Sequence, residues 1–359
     1  MTAKEKLILL LDDVLIPQKV IFSLIENYDA DLLITKLESF EKELKQYYGD
    51  SIYLKLKNAI SVKNIENTLL KLQKYNIKSV FYHNEEYPKQ LKDIVGPPPV
   101  IYYKGDISLL KEKSIAIVGT RRPTSYGREV TRLFAGKLTK AGLVTVSGLA
   151  YGLDMEVAVA TLENKGKTIA VLGGGLDEIY PSQNTNLAKQ IVDNGGLLIS
   201  LYPPERKPTK YSFVDRNRII SGVSLGTIIV EAGESSGTLN TANHAIEQGR
   251  ELFVVPANIN SIASKGSNRL IEELPETFTL NPEHVLKVLN IDALASSDEK
   301  KNEVGDQEKI IVNLLYEQDL DFDQIQEKTK IEPKTLISLL TMMEINGLIK
   351  KLPGNFYSL

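Results

Sequence analysis

Six short apolar runs constrain this chain more than any other feature. SIAIVG, LVTVSG, TIAVLGGG, GLLISL, TIIVEA and ELFVVPA follow one another between residues 114 and 257. None alternates cleanly between apolar and polar residues, and each is followed by helix-like text such as SYGREVTRLFAGKLTKAG. Strands buried on both faces and interleaved with helices belong to parallel sheets covered on two sides. The expected fold class is therefore α/β, a doubly wound and mostly parallel sheet. In the first intervening segment Val130, Leu133, Phe134, Leu138 and Ala141 form one stripe, which predicts a helix lying against that sheet.

The flanks read differently. Residues 1–65 lack β-rich runs, and IPQKVIFSLIENY and NIENTLLKLQKY carry apolar positions at helical spacing. A small helical module, SAM-like or helix-hairpin-like, is expected there, ahead of a central domain over 66–292. Between about 78 and 105 the β-branched and aromatic text around GPPPVIYYKGD predicts an extended lead-in, since three consecutive prolines forbid a helix. Residues 293–307 have linker composition. Residues 308–359 predict three helices followed by two short strands around Pro353-Gly354-Asn355, a winged-helix pattern.

Charge and composition exclude several functions. Of 359 residues, 43 are Lys or Arg and 46 are Asp or Glu, so a net charge of −3 leaves no basic field over the whole chain. Any polyanion site must be local. Zero cysteines exclude disulfides, thiolate metal sites and a cysteine nucleophile, and His83, His244 and His284 are too few for a histidine cage. The apolar run near the N-terminus meets Asp12 and Asp13 too early for a signal or a span, and no run reaches about 18 apolar residues. A cytoplasmic protein without a membrane segment is expected.

The predicted strands end in small residues and hydroxyls: Gly119-Thr120-Arg121-Arg122, Ser147-Gly148, Gly173-Gly174-Gly175 and Glu234-Ser235-Ser236-Gly237-Thr238. In open α/β sheets ligands bind at this rim, where helix N-termini present free N–H groups that suit phosphate. Glycines also serve tight turns alone, but four such loops on one rim are more informative than one. Residues 202–222 add Arg206, Lys207, Lys210, Arg216 and Arg218 against two acids. Tyr211 and Phe213 in the same stretch could stack on bases, or Phe213 could pack in the core.

Familiar catalytic signatures fail on context. KGKT at 165–168 precedes a strand, whereas a P-loop leads into a helix. The LGGGLDE loop has Glu178 where the last glycine of a dinucleotide fingerprint belongs. GVSLG at 222–226 places Ser224 before a strand, which is no nucleophile elbow.

SIAIVGTRRPTSYG, SGLAYGLD, LGGGLDEIYPSQN, FVDRNRIISG, VEAGESSGTLNTANHAIEQGRELFVVPA and SKGSNRLI, in this order, closely resemble the bacterial DNA-processing protein A family, also called Smf. The resemblance spans about 78–290, and the flanking modules match the family's organisation. It implies an extended Rossmann-like domain, binding of single-stranded DNA, homodimers through that domain, and loading of RecA recombinase on incoming DNA, which it protects, during natural transformation. It implies no catalytic activity and no cofactor. Carried over by motif, the candidate DNA-binding residues are Gly119, Thr120, Arg121, Arg122, Ser147, Gly148, Ser182, Asn184, Lys210, Arg216, Asn217, Arg218, Gly237, Thr238, Thr241, Ser267 and Asn268. Arg121 ranks first, because a guanidinium forks onto a phosphate. Asn217 and Arg218 serve equally well as loop ties. The chain departs from the family at Ser182, where a lysine is common, and at Tyr151, where an arginine is common.

The rival reading is a nucleotide hydrolase on a related core with a PGGxGTxxE block. Here Thr241 stands where that block has its catalytic glutamate, and a hydroxyl cannot replace a carboxylate as general base, although Glu231 and Glu234 lie nearby. Residues 306–359 hold nine acids and six lysines, and the third helix offers mainly Lys334. That module is therefore expected to contact protein, not duplex DNA.

Overall fold

The computed structural model describes residues 1–291, 305–345 and 348–359, in two compact units, Met1–Ala295 and Ser296–Leu359. The first is built on an eight-stranded sheet: β1 (Lys78–Phe81), β2 (Val100–Gly105), β3 (Ser114–Val118), β4 (Val144–Ser147), β5 (Thr168–Leu172), β6 (Leu197–Ser200), β7 (Gly226–Ile229) and β8 (Glu251–Val254). Their spatial order is β1-β2-β6-β5-β4-β3-β7-β8. The strands from β3 to β8 pair in parallel. β1 and β2 pair with each other, and β2 with β6, antiparallel. The proline-flanked lead-in thus adds two edge strands to a parallel core.

Every residue of β3, β4, β5, β6 and β7 is buried, which explains why their sequences do not alternate. Ile115 and Ile117 pack with Phe134, Leu138 and Val157 on one face. Ala116 and Val118 pack with Ile219, Ile220 and Ala242 on the other. The helices Ser125–Lys140 and Leu153–Glu163 cover the first face, and Lys210–Gly222 and Thr238–Glu247 cover the second. The expected stripe on Ser125–Lys140 is rotated. Phe134 and Leu138 are buried with Thr131 and Ala135, whereas Leu133 is 47% exposed, because the helix also packs on Leu153–Glu163.

The first 74 residues are helical, and Ala3–Asp13 is their centre. Leu7 to Leu11 are all buried, so this helix is enclosed by its neighbours, and Thr2 with Glu5 closes its start as a capping box. The helix Val62–Lys74 runs through the boundary expected at 65. The core of these helices is continuous with Tyr102, Ala170, Leu172 and Leu198 of the sheet. The buried Tyr102 hydroxyl donates to Asp12 at 2.8 Å, joining β2 to the first helix.

The second unit contains the helices Asp306–Glu317, Phe322–Thr329 and Pro333–Ile345 and the strands β9 (Leu320–Asp321), β10 (Lys350–Leu352) and β11 (Phe356–Ser358), in the order β10-β11-β9. β9 is an addition to the expected helix-and-hairpin set. Ile311, Leu315, Ile325, Leu336, Leu340 and Met343 fill its core. The expected linker lies outside the described residues over 293–304, and its last part opens the first of these helices. Among the described residues no helix is long and apolar enough to cross a membrane.

Replacing Tyr102 with Phe should lower the stability of the first unit by about 1 kcal/mol through the lost bond to Asp12. Urea denaturation should show a lower midpoint with an unchanged slope.

Candidate nucleic-acid interface

Because β3, β4, β5 and β7 are parallel, the loops that follow them emerge on one side of the sheet. The strand order reverses between β3 and β7, where an open α/β sheet forms its crevice. The loops are stitched together. Thr120 N–H donates to Glu231 O at 2.8 Å, and Leu153 N–H to Thr120 O at 3.2 Å. Gly152 has φ +80°, and a Cβ there would lie 2.4 Å from Thr120 O, so only glycine lets the loop after β4 approach the loop after β3.

Two buried charges organise this rim. Asp154, in the first turn of Leu153–Glu163, is 8% exposed, and the backbone amides of Ala150, Gly119 and Gly148 face its carboxylate. Burial raises its pKa, against the pull of Arg216 and those amides. Arg216 is 3% exposed and donates to Gly148 O at 2.6 Å and to Val171 O. Burial lowers the guanidinium to about 10, with Asp154 opposing the shift and Arg121 adding to it, so it stays charged at neutral pH.

Over this base lies an exposed layer. Arg121 is exposed, and its guanidinium sits 5.3 Å from the Phe213 ring centroid. Tyr180, half exposed, stands 5.6 Å from Phe213, its ring tilted by 42°. Gly173 makes room for that ring, since a Cβ there would lie 2.7 Å from it. On one flank Arg121, Arg122, Arg128 and Tyr151 line a pocket of about 540 Å³. On the other, Arg206, Lys207, Lys210 and Tyr211 line one of about 610 Å³. Lys210 opens the helix Lys210–Gly222, which Thr209 and Ser212 cap reciprocally. Guanidinium and ammonium groups with aromatic rings beside them suit an unpaired polynucleotide strand.

The structure divides the residues nominated from sequence. Arg121, Arg122, Ser182, Lys210 and Gly237 are exposed, and Gly119 and Thr120 are partly so. Gly148 is buried against Arg216 and Asp154. Arg216 lies beneath the rim, with Nη1 donating to Gly148 O and Val171 O and Nε to Asn217 Oδ1, an arrangement suited to a scaffold. Other side chains nominated from sequence are buried as well. Ser147 donates to Ile117 O at 2.8 Å, Asn184 to Leu149 O at 2.9 Å and Ser267 to Ser264 O at 3.0 Å, while Thr241 is 2% exposed. Thr238 is buried beside Ser236 at 3.0 Å. Asn217 donates to Gly237 O at 3.2 Å, and Asn268 bridges both backbone groups of Ala257, so these two tie loops. Arg218 donates to Asp215 at 2.7 Å and Gly96 O at 2.6 Å, which makes it a tie as well.

Sequence reasoning passed over Asp154, Arg128 and Tyr180. An acid in the first turn of a helix behind a glycine-rich loop was the available signal for Asp154. The rejected signatures also find places. Ser224 is fully buried and donates to Ile220 O at 2.8 Å. Glu231 is 1% exposed and accepts from Thr124 N–H at 3.0 Å and its hydroxyl at 2.6 Å, which ties it into the fold. Among the described residues no group of three or more His, Cys, Asp or Glu could hold a metal.

Substituting Arg216 with Met would strand Asp154 without its counter-charge. Chemical denaturation should show a loss of about 3–5 kcal/mol. A loss under about 1 kcal/mol would contradict the scaffold role.

The family model of the DNA recombination-mediator protein A matches residues 78–290, and that of the DprA winged helix domain matches 295–355. DNA processing protein DprA of Bacillus subtilis is 42% identical over 239 residues, 66% of this chain and 75% of that protein. Protein Smf of Escherichia coli is 33% identical over 305 residues, 83% and 81% of the two chains. The structure of DprA from Streptococcus pneumoniae aligns with a TM-score of 0.69 at 32% identity, over 80% of this chain and 98% of that one. That of Helicobacter pylori DprA, described for its mode of binding single-stranded DNA, aligns with a TM-score of 0.54 at 34% identity, over 60% and 97%. The chain belongs to the DNA recombination-mediator protein A family, the DprA or Smf proteins.

Proposed function

We propose that this protein binds single-stranded DNA by its sugar-phosphate backbone across the rim formed by the loops after β3, β5 and β6, as a recombination mediator. The observation that carries this reading is the packed set Arg121, Phe213 and Tyr180, with Arg121 lining one basic pocket and Lys210, in the helix that carries Phe213, lining another. Arg121, Arg122 and Lys210 neutralise phosphates, the Gly119–Thr120 backbone approaches them, and the aromatic rings receive bases without choosing among them. The protein works as a homodimer through its Rossmann-like domain in the cytoplasm, where it protects incoming DNA and delivers it to RecA recombinase during natural transformation. It needs no cofactor and performs no chemistry on the strand. The winged-helix unit carries exposed Ile310, Tyr316, Ile337 and Met342 beside its many acids, a surface suited to protein.

The test is a titration of single-stranded against double-stranded oligonucleotide at two salt concentrations, with wild type beside Arg121→Ala. Single strands should bind more tightly. If about three phosphates are neutralised, log affinity should fall against log salt with a slope near −2. Equal binding by the two proteins would remove Arg121 from the site, and a flat salt response would refute the mechanism. Incubation with nucleoside monophosphates should release no free base, which separates this reading from a hydrolase.

A further inference from the structure

The strap between β6 and the helix Lys210–Gly222 carries Arg206 and Lys207 to the DNA rim, yet it also carries an acid, Glu205. Near phosphates a carboxylate is a Coulombic liability. Glu205 is also one of few non-glycine residues with a left-handed backbone, at φ +70°, a conformation that persists only where surroundings hold it. Three groups do so. Its N–H donates to Asp177 Oδ1 at 2.7 Å, Lys71 Nζ lies 3.0 Å from its Oε2, and Tyr75 OH donates to Oε1 at 3.0 Å. The last two belong to the end of the N-terminal helical module, in or just after the helix Val62–Lys74. Lys74 in turn donates to the Tyr75 hydroxyl at 3.0 Å. Lys71 and Tyr75 hold the Glu205 carboxyl below its usual range, and Glu205 raises Lys71. One residue further on, Arg206 O accepts from Gly175 N–H at 2.8 Å, which pins the strap to the loop after β5.

We propose that Glu205 is a positioning residue: clamped by Lys71 and Tyr75, it lets the N-terminal helical module set the basic strap against the DNA rim. This rests on the single-strand-binding reading above. The role assigned to the module is to order Arg206 and Lys207 before the strand arrives, so that binding does not bear that entropy.

The clamp and plain electrostatics predict opposite signs for one substitution. Removing an acid from a phosphate-binding lip strengthens binding if charge alone matters. Glu205→Gln should instead weaken oligothymidine binding, by about threefold. Lys71→Met should weaken it similarly while leaving the slope of log affinity against log salt equal to wild type, because Lys71 touches Glu205 and not phosphate. Both positions are on the surface, and melting temperatures should confirm that both variants fold. Unchanged or tighter binding by Glu205→Gln overturns the clamp. So does a salt slope shallower by about 0.7 in Lys71→Met, which would make Lys71 itself a phosphate contact. If wild type binds and Arg121→Ala does not, while Glu205→Gln matches or exceeds wild type, the clamp alone fails. If wild type does not bind single strands, the functional reading fails and takes the clamp with it.

Discussion

The opposition of Asp154 and Arg216 beneath the strand ends is what the rest of the rim depends on. Burying either charge alone is costly, and two buried charges rarely stabilise a fold more than apolar residues of the same size. Here each also collects backbone groups. The carboxylate faces the amides of Gly119, Gly148 and Ala150, and the guanidinium takes the carbonyls of Gly148 and Val171. The loops after β3 and β4 are thereby held against each other and against the end of β5. Glycines at 119, 148 and 152 are the corollary, since side chains there would collide with Leu153, Arg216 and the Thr120–Arg121 backbone.

A rigid base changes what the exposed layer can do. Arg121 packs over Phe213, and among the described residues no acid lies within ion-pair distance of Arg121, Arg122 or Lys210, so their charges are available to a ligand. The whole chain carries a net charge of −3, so a polyanion finds no basic field over the whole chain, and attraction by a local basic cluster falls away with salt. A hydrolytic site would need a carboxylate free to act. Glu231 lines a pocket of about 690 Å³ with Tyr126 and Ser264, its carboxylate accepting from the Thr124 N–H and hydroxyl, while Thr241 is buried.

Much of the architecture was legible because parallel strands buried on both faces leave unbroken apolar runs, and all six runs became strands. The site was legible as a set of motifs but not as roles. Arg121 and Arg216 each stand in an arginine-bearing motif, and letters do not tell which guanidinium points out. Packing decides it, because Arg216 lies on the inner side of the helix Lys210–Gly222 beneath Gly148. Ser147, Asn184 and Ser267 likewise read as phosphate donors, yet their hydroxyl and amide groups satisfy carbonyls that the loops would otherwise leave unpaired. The boundary expected at 65 falls inside a helix. The amphipathic helix Val62–Lys74 continues past it and delivers Lys71 and Tyr75 to a loop more than a hundred residues away.

A crystal structure with a short oligothymidine bound tests the central claim most directly. Phosphates should lie against the Gly119–Arg122 backbone and the Arg121 guanidinium, with a base stacked beside Phe213 or Tyr180 and no bond broken in the strand. An oligonucleotide seated elsewhere on the molecule, with this rim empty, would contradict the account.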